Sequence, residues 1–202
     1  MRYSLIFILI IAALSSCGHP QRFNTEEELV NFIQENSPFN NTKIVNGYEF
    51  QLEYRPSDLL VAQHLNGRAT NDSIIAALRK QYNKQLYFNL SISKHQKELL
   101  SVVPNSMQEF SRLNQTLSFG MSNKVHLYSK QKDTIELLDY NYPRLYGMSR
   151  ATSMMFVFPN DFDALKDDYI NFSIEDLGIQ TGEIRFKIPT SLIKNQPTLV
   201  FN

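Results

Sequence analysis

Apolar and polar residues alternate cleanly over four stretches of the chain. Tyr48, Phe50, Leu52 and Tyr54 interleave with Glu49, Gln51 and Glu53, and Leu86, Phe88, Leu90 and Ile92 interleave with smaller or polar residues. Toward the carboxyl end, Ile170/Phe172/Ile174 and Ile184/Phe186/Ile188 repeat the pattern around a link that holds Gly178 and Gly182. A period of two puts successive side chains on opposite faces of a strand, so each stretch predicts a strand with one buried and one wet face. Asn46-Gly47 sits just before the first of them, and this pair tolerates the two positive φ values of a type I′ turn. A hairpin over Lys43–Tyr54 follows. The last two stretches predict an antiparallel pair.

A helical period appears elsewhere. Thr25-Glu26-Glu27-Glu28 has the spacing of a capping box, and Leu29, Phe32 and Ile33 continue at helical intervals, which predicts a helix from Thr25 to Asn36 ended by Ser37-Pro38. Asp58–Asn66 is a second, with Val61, Ala62 and Leu65 on one side and Gly67 as its C-cap. Asp72–Asn83 is a third, carrying Ile74, Ile75, Leu78 and Tyr82. Ser106-Met107-Gln108-Glu109 repeats the capping box and starts a helix that carries Phe110, Leu113 and Leu117 to Phe119. Residues 96–103 fit no period. Val125–Tyr128, Thr134–Leu138, Ser153–Phe158 and Thr198–Phe201 read as further strands. Strands at both ends with helices gathered in the middle third predict an α+β fold, antiparallel and β-rich, resembling a sandwich.

The first seventeen residues follow another logic. Arg2 precedes the apolar run Leu5–Leu14, and the two small residues Ser15 and Ser16 lead to Cys17. A basic start, a short apolar core and a small-residue exit make a secretory signal, too short for the roughly twenty residues of a membrane span. Leu14-Ser15-Ser16-Cys17 resembles the lipobox of bacterial lipoproteins. The resemblance implies a diacylglyceryl thioether on Cys17, removal of residues 1–16 and acylation of the new amino terminus. Several acyl chains hold a protein to a bilayer where one binds only reversibly. Gly18 to Asn24 is polar and short, so residues 17–24 are expected to act as a tether and 25–202 as one domain. Gly18-His19-Pro20-Gln21-Arg22 carries no acidic residue. Acidic residues at that place accompany surface export in some bacteria, so the comparison implies an outer-membrane protein facing the periplasm.

Composition narrows the picture. A hydrophobic share of 43% with 20% charged residues is that of a folded domain, and a chain of this size buries roughly 70% of its unfolded surface. Lysine plus arginine equal aspartate plus glutamate at 20 each, so no net field draws the protein to nucleic acid. The single cysteine leaves the body without a disulfide.

Candidate chemistry is sparse. The four histidines, His19, His64, His95 and His126, have no partner at a metal-ligand spacing, and no metal or cofactor is expected. Ser91-Ile92-Ser93-Lys94 matches the S-x-x-K signature of penicillin-binding enzymes. It falls in a predicted strand, however, and the companion S-D-N and K-T-G elements are missing. Asn160-Asp161-Phe162-Asp163 with Asp167-Asp168 gathers oxygens as a calcium loop does, but without its glycine and closing glutamate; a solvated turn is the simpler account. Asp139–Tyr146 is more telling. Tyr140, Tyr142, Arg144 and Tyr146 are the residue types enriched at contact hot spots, and the competing account is that the tyrosines pack on the sheet. Asp72-Ser73-Ile74 and Asp133-Thr134-Ile135 resemble the D-S/T-aliphatic O-glycosylation site of some periplasmic proteins, which would modify Ser73 and Thr134.

The expectation is a non-enzymatic binding module in the cell envelope, joined to the membrane through Cys17 and to a protein or glycan partner through the tyrosine segment. The alternatives are an envelope hydrolase whose carboxylates converge only in three dimensions, and a small-ligand carrier with an apolar cavity.

Overall fold

Each alternating stretch becomes a strand of one of two packed sheets. The computed structural model describes residues 20–160 and 163–201. The expected signal, Cys17 and His19 lie outside the described residues. Strands β2 (Asn40–Val45), β3 (Tyr48–Arg55), β4 (Gln85–Lys94), β8 (Thr152–Pro159) and β7 (Asp139–Asn141) form a five-stranded antiparallel sheet in that spatial order. β10 (Ile184–Pro189), β9 (Tyr169–Ile174), β5 (Val125–Ser129) and β6 (Thr134–Ile135) form a four-stranded one. The fold is α+β and mostly antiparallel. The β2–β3 turn has Asn46 at φ 51° and Gly47 at φ 77°, the two positive values its sequence foretold.

The inner faces of the two sheets share one core. Phe88, Phe156 and Phe158 of the larger sheet meet Phe172 of the smaller, with ring centroids 5.7, 5.8 and 6.2 Å from it. The helices α4 (Leu99–Val102) and α5 (Met107–Gln115) add Leu99 and Leu113 to this core. The chain beyond α5 continues helically through Thr116–Gly120 and Met121–Asn123, adding Leu117 and Met121. The outer face of the larger sheet is also covered. Tyr87, Met155 and Val157 pack there with Leu29 and Ile33 of α1 (Glu26–Glu35) and with Leu59 and Leu60 of α2 (Ser57–Leu65). α3 (Asp72–Tyr82) lies against α2, and α6 (Thr190–Lys194) follows β10.

Both capping boxes form, each displaced by one residue on its return arm. Glu28 N–H donates to Thr25 Oγ1 at 3.1 Å while Glu28 accepts from Asn24 N–H at 2.9 Å. Glu109 N–H donates to Ser106 Oγ at 3.2 Å while Glu109 accepts from Asn105 N–H at 2.7 Å.

Several expectations are corrected. Arg22 and Phe23 form β1, which pairs in parallel with β11 (Thr198–Leu199), so part of the stretch 17–24 belongs to the folded body. The last strand is shorter than Thr198–Phe201, and Thr134–Leu138 shrinks to β6, with Leu138 exposed. In α2 the expected Val61 is buried and Ala62 packs beside it, but Leu65 is only half-buried and the whole first turn, Ser57 to Leu60, is buried as well, because α1 and the sheet cover that end. In α3, Ile74 faces outward while Ile75 and Leu78 are buried, and the cap is Asn71, whose Oδ1 accepts from Ile74 N–H at 3.0 Å.

Candidate functional site

Residues 139–149 split into a packed half and a displayed half. Tyr140 belongs to β7 and stacks on Phe156 with centroids 5.8 Å apart and planes at 20°. Tyr142 is partly buried against the core. Burial raises its pKa and the nearby Glu98 carboxylate raises it further, against a smaller pull from Arg144. Tyr140 packs within the sheet, and Tyr142, just past β7, packs in part against the core. Beyond Pro143 the chain leaves the sheet. Arg144 lies over the ring of Phe119 at 5.8 Å, and Phe119, Tyr146 and Met148 are 74%, 72% and 82% exposed.

A buried carboxylate holds this displayed half in place. Glu98, 3% exposed, accepts from Gly147 N–H at 3.0 Å through Oε2 and from Ser149 N–H at 2.9 Å through Oε1. Its neighbour Leu99 donates from N–H to Thr152 Oγ1 at 2.8 Å, which joins α4 to β8. The loop turns on Met148 N–H to Leu145 O at 3.0 Å, with Tyr146 at φ 50° and Gly147 at φ 84°. The positive φ favours glycine at 147, and a Cβ there would also crowd Ser101 Oγ at 3.3 Å. Glu98 lies in the stretch that fits no period, and nothing local marks it as an anchor.

A second place is an open cleft of about 590 Å³ between the β2–β3 turn, the end of β4, α5 and the loop after β9. Lys94 leaves the end of β4 and stacks on Tyr48, with Nζ 4.5 Å from the ring centroid. Arg112 of α5 lies across from it, beside Gly178. The far wall is the loop 177–182, organised by Asp176. Its Oδ1 accepts from Gly178 and Ile179 N–H at 2.8 and 2.7 Å, and its Oδ2 from Gly182 N–H at 3.1 Å. Asn46 Nδ2 donates to Gln180 O and ties the hairpin turn to the same loop.

Burial pushes the Asp176 carboxyl up, but the combined backbone N–H groups of Ile179, Gly182, Gly178 and Gln180 outweigh it and hold the pKa below its ordinary 3.8. A lowered folded pKa stabilises the loop in full above the unfolded value and loses that contribution as pH falls through the folded one. The amide shifts of Gly178, Ile179 and Gly182 should therefore titrate together with a midpoint below 3.8, and should stop doing so in Asp176→Asn. A midpoint at or above 3.8 would contradict this geometry.

The remaining candidates are dispersed. Ser91 bonds Ser153 across the β4–β8 pair at 2.8 Å, and Lys94, three residues on, leaves the opposite face of the strand, so the S-x-x-K residues do not meet. His64 bonds Tyr82 at 2.9 Å, and His126 bonds Glu175 at 3.1 Å. Asp167 accepts from Lys130 N–H and Gln131 Nε2 at 3.1 Å each, Asp168 faces Lys130, and Asp163 pairs with Lys166. Among the described residues, no three His, Cys, Asp or Glu side chains are grouped to hold a metal ion. No described helix is long and apolar enough to cross a membrane. Ser73 is exposed in the first turn of α3, and Thr134 is exposed in β6.

No protein-family model matches the chain, and no curated protein matches it. Among solved structures it is similar to the crystal structure of a DUF4426 family protein from Pseudomonas aeruginosa. The identity is 9% and the TM-score 0.37, over 76% of this chain and 96% of that one.

Proposed function

We propose that this protein is a non-enzymatic binding module of the cell envelope, held on the outer membrane by acylated Cys17, facing the periplasm, and contacting a protein or glycan partner through the loop after Pro143. One observation carries the reading. Glu98 spends a buried carboxylate on two backbone N–H groups to fix a loop whose side chains, Tyr146 and Met148, stand in solvent beside the Arg144–Phe119 pair. A buried carboxylate is costly to leave unpaired, so the loop's two N–H groups and Glu98 hold each other, and a loop whose backbone is already fixed loses less entropy when a partner binds. The lipobox resemblance supports the placement.

Two measurements test it. Palmitate labelling should be lost in Cys17→Ala; retained label at an unchanged protein size removes the anchor. A photoreactive residue at 146 should give a discrete adduct in intact envelopes, and Glu98→Ala should abolish the adduct while lowering stability by about 1–3 kcal/mol for the N–H groups left unpaired. The binding role fails if position 146 crosslinks no more than a control on the exposed face of β10, such as Lys187.

A further inference from the structure

We infer that the cleft between α5 and the loop after β9 is a binding site for an acidic ligand of peptide size, with Arg112 and Lys94 as the groups that read its carboxylates. The site is separate from the Tyr146 loop and does not rest on the role proposed for it. Among the described residues neither Arg112 nor Lys94 forms an ion pair, although both face the same cavity. The one carboxylate in the lining, Glu109, accepts the Asn105 N–H at 2.7 Å and is held at the start of α5. Among the lining residues two cations therefore face one carboxylate, and the Asp176 carboxylate behind the wall is already taken up by backbone N–H groups.

The walls are preorganised. Asp176 and the Asn46–Gln180 bond shape the loop before any ligand arrives. Gly178 stands at φ +85°, which favours glycine, and a Cβ there would crowd Arg112 Nη2 at 3.3 Å. Lys94 is kept in place by the Tyr48 ring and by its hydroxyl, 3.5 Å from Nζ.

The chemistry points to carboxylates on an amide body more than to a bare anion. Sites for free phosphate commonly draw on converging backbone N–H groups. Here Gly178, Ile179 and Gly182 N–H are already committed to Asp176, which leaves side-chain donors: a planar fork that matches a carboxylate in two bonds, and a lysine. Asn46, Asn105 and Gln180 offer amides that both donate and accept, as a peptide backbone needs, and the part-buried Val103 and Leu177 give a small apolar surface for an aliphatic side chain. The volume of about 590 Å³ lies within the usual range for organic ligands and far exceeds one small anion.

The test uses the purified full chain in detergent, with the acetylated tripeptides Glu-Leu-Glu, Gln-Leu-Gln and Lys-Leu-Lys as calorimetric probes and inorganic phosphate as competitor. Glu-Leu-Glu should bind saturably, more weakly as salt rises, and Gln-Leu-Gln about tenfold less tightly. Arg112→Gln and Lys94→Gln should each weaken it by about tenfold, with Arg112→Lys in between because it keeps the charge and loses the fork. The two Arg112 variants should keep the parent unfolding midpoint, since Arg112 makes no ion pair, and Lys94→Gln should lower it only slightly, by the loss of its contact with Tyr48. Equal binding of the three tripeptides, unchanged affinity in the double variant, displacement by phosphate at equal concentration, or no saturable binding in the millimolar range each overturns the inference.

Discussion

Replacing Phe172 by alanine lowers the free energy of unfolding by about 3–5 kcal/mol, the range for an aromatic side chain removed from a packed core. The side chain has no exposed area, and it is the ring at which the sheets meet, in contact with Phe88, Phe156 and Phe158. In β9 it stands opposite Phe186 of β10 and Leu127 of β5, so the gap would open toward both flanking strands as well as the facing sheet. Strands held by two ladders cannot slide inward to close it, and part of the loss is the residual cavity. Domains of this size are stable by about 5–15 kcal/mol, so the variant should lie near the edge of folding at moderate temperature. Urea unfolding at constant slope measures the change, with Phe172→Leu as the milder control. A loss under about 1 kcal/mol would mean that the sheets are not packed through this ring.

The second large effect is expected where α2 and α3 meet β11. Arg79 of α3 donates from Nε and Nη2 to Asp58 of α2 at 2.8 and 2.7 Å, and Nη2 also donates to Leu199 O at 2.8 Å. Leu199 N–H donates to Asp58 Oδ2 at 2.8 Å, which closes a ring of bonds around β11. Asp58 is 2% exposed. Its hydrogen bond raises the pKa of Arg79, against a partial desolvation of the guanidinium. Arg79→Met leaves a buried carboxylate with one backbone donor and should cost about 2–4 kcal/mol, somewhat less than for a pair buried on both sides, because the guanidinium side is part exposed. Adding Asp58→Leu removes the stranded charge, so the double variant should be more stable than the sum of its parts predicts. Recovery stays incomplete, since in the double variant Leu199 N–H and C=O both lose their partners. A change within about 0.5 kcal/mol for Arg79→Met would reduce the ring of bonds to a surface ion pair.

Legibility along the chain follows from how local the cause is. The β2–β3 hairpin was legible because Asn46-Gly47 and the Tyr48–Tyr54 alternation specify turn and face within a dozen residues. The capping boxes at Thr25 and Ser106 were legible for the same reason. Faces set by distant neighbours were not. Ile74 fits a helical stripe as well as Ile75 does, and only the position of α2 decides which is covered. Asp58 resembles any acidic residue at a helix start; its partner lies 21 residues on, and the strand it bonds is 141 away.

The displayed loop shows the same division. Composition marked Tyr140, Tyr142, Arg144 and Tyr146 as a group, and the sheet and core took the first two because β7 pairs with β8 and sets Tyr140 over Phe156. Phe119, read as the end of a helix, became the ring under Arg144. The cleft left no trace in sequence order: Lys94, Arg112 and Gly178 come from three elements that share no period.

By itself the sequence determined the faces of the four alternating strands, the hairpin, the two capping-box helix starts and the α+β class, because a side chain's alternation and a cap's hydrogen bond are settled within a few residues. The tertiary structure alone decided which helix face was covered, that Glu98 and Asp58 became buried anchors, and that Lys94 and Arg112 share a cavity. Burial and charge pairing depend on what another part of the chain brings within a few ångströms, and no local pattern encodes that arrival.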